Sequence, residues 1–196
     1  MKKNIFTTSI YRSRNYNRLY DEIILNELEK QKKINQGVER SNVGGFQTLR
    51  IDNEQILKES SEMLTAHLSN YLLSLQNKMK PVKVHIANCW INENYKFSYN
   101  EPHVHPLTSF SAVYYIKTTP NCGNIEFYNE NSIVGFMNLY SEYLPDSSDF
   151  HSKFTITPVQ NDLIIFPSYL KHGVTQNLSD DPRVSIAFNL HVFPDG

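Results

Sequence analysis

The sequence predicts an α+β protein, an antiparallel barrel or jelly roll flanked by N-terminal helices. Apolar residues recur at helical spacing before Pro81 and alternate with a period of two after it. Turn-forming clusters cut the second part into many short runs rich in β-branched and aromatic residues. Helices first and strands afterwards, rather than alternating, is the pattern of an α+β plan. The 196 residues read as one domain, with 1–80 mainly helical and 81–196 forming the strand-rich core.

The first helix is expected over Tyr16 to Ile34, where Leu19, Ile23 and Leu28 stand near helical spacing between charged residues. Arg40 to Phe46 carries turn chemistry and closes that segment. Asp52 is the expected cap of a longer helix running to about Met79, with Ile56, Leu57, Ser60, Leu64, Leu68, Tyr71, Leu72 and Leu75 on its apolar face. After Pro81, Val82, Val84 and Ile86 alternate into Cys89-Trp90-Ile91, the first strand. Ser109 to Lys117 reads as a strand buried on both faces. Asn124–Tyr128, Phe154–Thr157, Asp162–Phe166 and Val184–Phe193 supply the others. Ile133 to Ser152 is a polar and aromatic insertion, expected as a loop over one barrel mouth. Phe136, Tyr140 and Tyr143 make it a candidate lid.

Composition narrows the function classes. A formal net charge of −1 gives no reason for bulk attraction to nucleic acid or to a membrane. The N-terminus lacks the apolar core of a signal peptide, and no run is long enough to span a bilayer. Cys89 and Cys122 form neither a CxxC nor a zinc-type spacing, so free thiols in a reducing cytoplasm are expected.

Chemistry concentrates in two places. His103 and His105 are two apart and, on a strand, would share a face. His172 follows a later strand that ends at Pro167-Ser168. Three imidazoles on one face leave coordination positions open, as non-haem iron chemistry requires. Arg183 and Ser185 are again two apart, on a face whose other members, Ala187 and Asn189, are small or polar. A guanidinium there can grip a carboxylate bidentately while the hydroxyl adds one bond. The competing structural reading is a loop salt bridge to Asp180 or Asp181. His67 is expected at the edge of the core. His85, His151 and His191 have no evident partners, and His191, at an even offset from Arg183, is the spare nearest the site. Further candidates for the pocket wall are Asn88, Trp90 and Asn92, which share a face, then Tyr99, Tyr115 and Asn189.

The segments RSNVGGFQ, HVHPLTSFSAVYYIK, IIFPSYLKHGV and RVSIAFN together resemble the iron(II)/2-oxoglutarate-dependent oxygenases. The likeness extends to small oxygenases of phage and marine bacteria, and covers most of the chain from Arg40 onward. It implies a double-stranded β-helix with the N-terminal helices packed on one sheet. It also implies Fe(II) as metal, 2-oxoglutarate as cosubstrate and dioxygen as oxidant. His103 would take the first metal position and His172 the distal one, with Arg183 and Ser185 on the distal carboxylate of 2-oxoglutarate. The implied reaction decarboxylates 2-oxoglutarate to succinate and hydroxylates an unactivated C–H bond of an unidentified substrate. The family pattern has a carboxylate where this chain has His105. Glu101 is the alternative acidic ligand, but its strand would have to run through Pro102. Two other functions stay open beside the hydroxylase: a cupin-like three-histidine dioxygenase that needs no 2-oxoglutarate, and a non-catalytic metal-binding phage accessory protein. Either enzyme would work in the cytoplasm, the host's if the chain is phage-encoded.

Overall fold

A computed structural model describes residues 7–75, 81–130 and 151–195. In chain order the elements are β1 (Tyr11–Arg14), α1 (Arg18–Ile34), β2 (Asn42–Val43), β3 (Phe46–Gln47), α2 (Glu54–Leu75), β4 (Val82–Asn94), β5 (Tyr99–His103) and β6 (Phe110–Lys117). They continue with β7 (Ile125–Tyr128), β8 (Lys153–Ile156), β9 (Asp162–Pro167), β10 (His172–Val174) and β11 (Arg183–Pro194). The lid candidates Phe136, Tyr140 and Tyr143, and the expected helix end at Met79, lie outside the described residues.

Both helices start at asparagine caps. Asn17 accepts the Tyr20 N–H at the head of α1. At α2 the cap is Asn53 rather than Asp52: its side-chain oxygen accepts the N–H groups of Gln55 and Ile56. The buried face of α1 is Tyr20, Ile24 and Leu28, four apart, whereas Leu19, expected on that face, is 71% exposed. On α2 the buried stripe is Ile56, Ser60, Leu64, Leu68 and Tyr71, and Leu75 at its end is half exposed. The helices cover the outer face of a six-stranded sheet ordered β1-β9-β6-β11-β4-β3. Ile91 of β4, Tyr114 of β6 and Val184, Ile186, Phe188 and Leu190 of β11 form the core beneath them. Each such side chain contributes roughly 1.5–3 kcal/mol by leaving water.

The second sheet, ordered β2-β5-β10-β7-β8, faces the inner side of the first. Tyr115, Ile125, Phe127, Ile156, Ile164 and Phe166 form a smaller core between the two sheets. Every pairing is antiparallel. This is the jelly-roll, double-stranded β-helix arrangement, with the described helices packed on the six-stranded sheet. The short strands β1, β2, β3 and β10 are absent from the sequence prediction: β2, β3 and β10 have two or three residues, and β1, Tyr11–Arg14, is almost wholly polar. β1 covers the free edge of β9, and Arg12 ties it there by donating to the buried Asp162 carboxylate at 3.1 and 2.5 Å.

Two irregularities decide which side chains reach the interior. β11 pairs with β4 along its whole length, but a bulge between Asn189 and Leu190 shifts the register. The extra residue, Ala87, is on β4, so the alternation reverses on that strand, while on β11 Leu190 and Val192 keep to the helix face with Val184, Ile186 and Phe188. His191 is not near the site: it stacks on His85 at the far end of the β4/β11 pair, ring centroids 6.4 Å apart. β5 runs through Pro102, contrary to the sequence expectation, and its register against β10 is broken between the His172 and Val174 pairings. Proline gives no N–H to a ladder, and the break falls where that donor is missing.

Candidate functional site

The inward rows of β4, β6 and β11 form the floor of a cleft. Cross-strand register sets three inward rungs: Asn94 opposite Arg183, Asn92 opposite Ser185 and Trp90 opposite Ala187. Tyr115 stands across Ser185 on the other side of β11. The second sheet supplies the roof.

His103 ends β5 and His172 begins β10, directly opposite each other. His105 lies two residues past the end of β5, so strand parity does not place it as expected. Its ring still reaches the same point, because the Ser168 carbonyl accepts the His105 N–H at 3.0 Å and draws the loop inward. One ligand atom from each of the three histidines lies within 4.8 Å of the others. The Nδ1 of His103 is 2.7 Å from the Glu101 carbonyl, and the Nδ1 of His172 is 2.8 Å from the Leu170 carbonyl. A carbonyl only accepts, so both Nδ1 atoms carry the proton and both Nε2 lone pairs are free for a metal. Glu101 thus contributes its main-chain oxygen, while its side chain is exposed and outside the cluster.

Burial holds all three imidazoles below their ordinary range. It lowers His103. With the nearby His103 it takes His105 to about 4 and His172 to about 3. Neutral rings at physiological pH are what a divalent metal needs, and an all-imidazole donor set fits iron or its neighbours in the first transition row. Trp90 packs 5.7 Å from His105 and Phe166 4.5 Å from His172, centroid to centroid, giving the cluster apolar flanks.

Arg183 is 2% exposed and no carboxylate pairs with it among the described residues. Asp180 bonds Lys96 at 2.7 Å and Asp181 is 3.8 Å from Lys117, so the competing reading, a loop salt bridge to Arg183, does not hold. Arg183 donates from Nη1 to the Cys122 carbonyl at 2.7 Å, while Nε is buried with no partner among the described residues. Gly123 makes that contact possible. Its φ is +91°, and a Cβ there would sit 2.8 Å from Nη1 and against the Thr175 carbonyl. Burial disfavours the charge, but a guanidinium with an intrinsic pKa above about 12 remains protonated. Burial also pushes the Tyr115 phenol up to about 12, keeping it a donor.

The structure brings His103, His105, His172, Arg183, Ser185, Tyr115, Trp90 and Asn92 into one cleft. Three expected wall residues lie elsewhere. The irregularity at Pro102 turns Asn100, not Tyr99, inward, and Tyr99 pairs with Val43 of β2. Asn189 accepts from Ser111 Oγ at 3.3 Å beyond the cleft floor, and Asn88 lies opposite it. Ser41, Asn94 and Asn100 line the cleft and were not among the expected residues. The even spacing of Asn94 from Trp90 and Asn92 is the one signal that marked it.

A family model described as "Putative 2OG-Fe(II) oxygenase" matches residues 88–189. No curated protein sequence matches the chain. Among solved structures, a prolyl-4-hydroxylase from Pseudomonas putida is similar at 14% identity and a TM-score of 0.60, covering 94% of this chain and 93% of that one. HygX from Streptomyces hygroscopicus, solved with nickel and 2-oxoglutarate bound, is similar at 15% identity and a TM-score of 0.57, covering 96% and 84%. EctD from S. alaskensis, solved with 2-oxoglutarate and 5-hydroxyectoine, is similar at 12% identity and a TM-score of 0.59, covering 94% and 72%. These likenesses establish the fold. The family match spans just over half of the chain and encloses the histidine cluster together with Arg183, and on that basis the chain belongs to the 2-oxoglutarate/iron(II) oxygenase family.

Proposed function

We propose that the chain is a non-haem iron(II) oxygenase that converts 2-oxoglutarate to succinate while hydroxylating a second substrate. The observation that carries this reading is the pairing of two features in one cleft. One is a cluster of three neutral imidazoles, and the other is a buried guanidinium with no carboxylate of its own. When bound, the metal supplies dioxygen activation and chelation of the 2-oxo acid. The chain's own residues do the rest. His103, His105 and His172 hold the metal. Arg183, Ser185 and Tyr115 hold the distal carboxylate, because three donors on neighbouring strands face one point. Trp90 and Phe166 give the reacting centre apolar flanks.

Anaerobic titration of the Fe(II) protein with 2-oxoglutarate is expected to produce a metal-to-ligand charge-transfer band. Succinate should form once oxygen is admitted, and Arg183→Ala should lose both. No band despite bound iron overturns the reading. His105, standing in place of a carboxylate, favours one alternative: a three-histidine dioxygenase in which Arg183 holds the carboxylate of the substrate itself. Oxygen uptake with small thiol carboxylates, in the absence of 2-oxoglutarate, would establish that alternative.

A further inference from the structure

Arg183 is buried with one of its donors unused. Among the described residues its Nε–H has no acceptor, and the side-chain oxygen of Asn94 has no donor. The two residues are direct cross-strand partners on β11 and β4, they line the same cleft, and they are 2% and 1% exposed. Directly opposed residues of an antiparallel pair carry Cβ atoms about 4.5–5.5 Å apart. A buried unpartnered donor and a buried unpartnered acceptor therefore belong to directly opposed residues of one strand pair. Leaving both unpaired is costly, whereas a hydrogen bond to a charged group is among the stronger ones available.

What surrounds Asn94 fixes its amide with the oxygen free. Its Nδ2 donates to Asn100 Oδ1 at 3.3 Å, and Asn100 Nδ2 in turn donates to Ser41 Oγ at 3.4 Å. The main-chain carbonyl of Asn94 accepts from Asn177 Nδ2 at 2.9 Å. On the remaining side lies Gly45, where a Cβ would come within 2.9 Å of the Glu93 carbonyl and 3.3 Å of Asn94 Nδ2. Ser41 and Gly45 both belong to the RSNVGGFQ segment, for which the metal and the carboxylate anchor provide no other use.

We infer that Asn94 is the positioning residue of the anchor. Its Oδ1 accepts the Nε–H of Arg183, with Asn100, Ser41 and the Gly44-Gly45 turn as backstop. With Nε held by Asn94 and one Nη1 proton held by Cys122, only the Nη2 protons and the second Nη1 proton remain for a ligand. A neutral amide also leaves the guanidinium charge uncompensated, so the anchor takes a carboxylate. This rests on the reading of Arg183 as the cosubstrate anchor.

The test compares full-length, zinc(II)-loaded wild type with Asn94→Leu and the near-isosteric Asn94→Asp. One readout is hydrogen exchange of the Arg183 Nε–H resonance. The other is calorimetric affinity for 2-oxoglutarate and for pyruvate, which lacks the distal carboxylate. In wild type the Nε–H should exchange slowly, and Asn94→Leu should speed exchange at least about tenfold. Affinity for 2-oxoglutarate should fall roughly 10–100-fold in Asn94→Leu and further in Asn94→Asp, whose carboxylate competes for the guanidinium. Zinc and pyruvate affinities should not change, which a general loss of structure would not allow. Equal Nε–H protection in wild type and variants, or unchanged 2-oxoglutarate affinity in both, overturns the inference. If wild type binds no 2-oxoglutarate, the oxygenase reading fails, and the exchange comparison still decides the role of Asn94.

Discussion

In the proposed centre His105 stands where the family resemblance implies a carboxylate, and its ring lies within the histidine cluster. It comes from a loop beyond β5, held by the Ser168 carbonyl, and it packs on Trp90. Replacing it changes the charge of the centre rather than its reach. His105→Glu is expected to retain cobalt(II) binding, while His105→Leu should weaken it at least as much as the roughly 10–100-fold cost of losing an outer-shell partner. Isothermal titration separates the two outcomes. Gly123→Ala tests the other end of the cleft. The added methyl meets the space of the Arg183 guanidinium at a left-handed backbone position. It should cost about 1–3 kcal/mol of stability, read from urea unfolding, and it should lower 2-oxoglutarate affinity together with it.

At the scale of elements, strands built on several apolar or β-branched residues were legible in the sequence, the four-residue β7 and β8 included, and β1, β2, β3 and β10 were not. β4 and β11 carry stretches of alternation long enough for periodicity to show, and β6 stands out as a continuous β-branched and aromatic run. β2 and β3 are two residues each and exist because their neighbours present free edges. The site divides the same way. His172, Arg183 and Ser185 stood out by spacing, whereas Asn94 and Asn100 take their meaning from strand register, which no local pattern encodes. Pro102 misled for a physical reason: a missing N–H argues against a strand, yet a local register break absorbs it. The helix α2 carries a pH prediction. Burial lowers the pKa of His67 from 6.5, so the unfolded chain takes up this proton first as pH falls. The neutral ring's contribution to stability is present above pH 6.5 and is lost as pH falls through the lowered folded value. His67→Phe should therefore lose less melting temperature than wild type between pH 7 and pH 5, in scans on metal-free protein.

At the scale of the molecule, the two sheets meet around the cluster, with His103 and His172 on adjacent strands and His105 on the loop leading to β6 in the other sheet. A metal held by all three ties the sheets together and stabilises the fold by mass action. At a metal concentration one hundred times the dissociation constant the gain is about 2.7 kcal/mol. Differential scanning calorimetry should show that increase with cobalt(II) in wild type and none in His172→Ala. No described helix is long and apolar enough to cross a membrane.

The shared alternation of β4 and β11 has a practical consequence for redesign. Trp90, Asn92, Ser185 and Ala187 face the cleft, while Cys89, Ile91, Val184, Ile186 and Phe188 lie in the core under the helices. Two neighbouring strands thus form a row of interchangeable positions set into a fixed frame. A combinatorial library confined to 90, 92, 185 and 187 varies ligand preference while the frame keeps its packing. The same number of changes at 89, 91, 184 and 186 would mostly produce chains that do not fold.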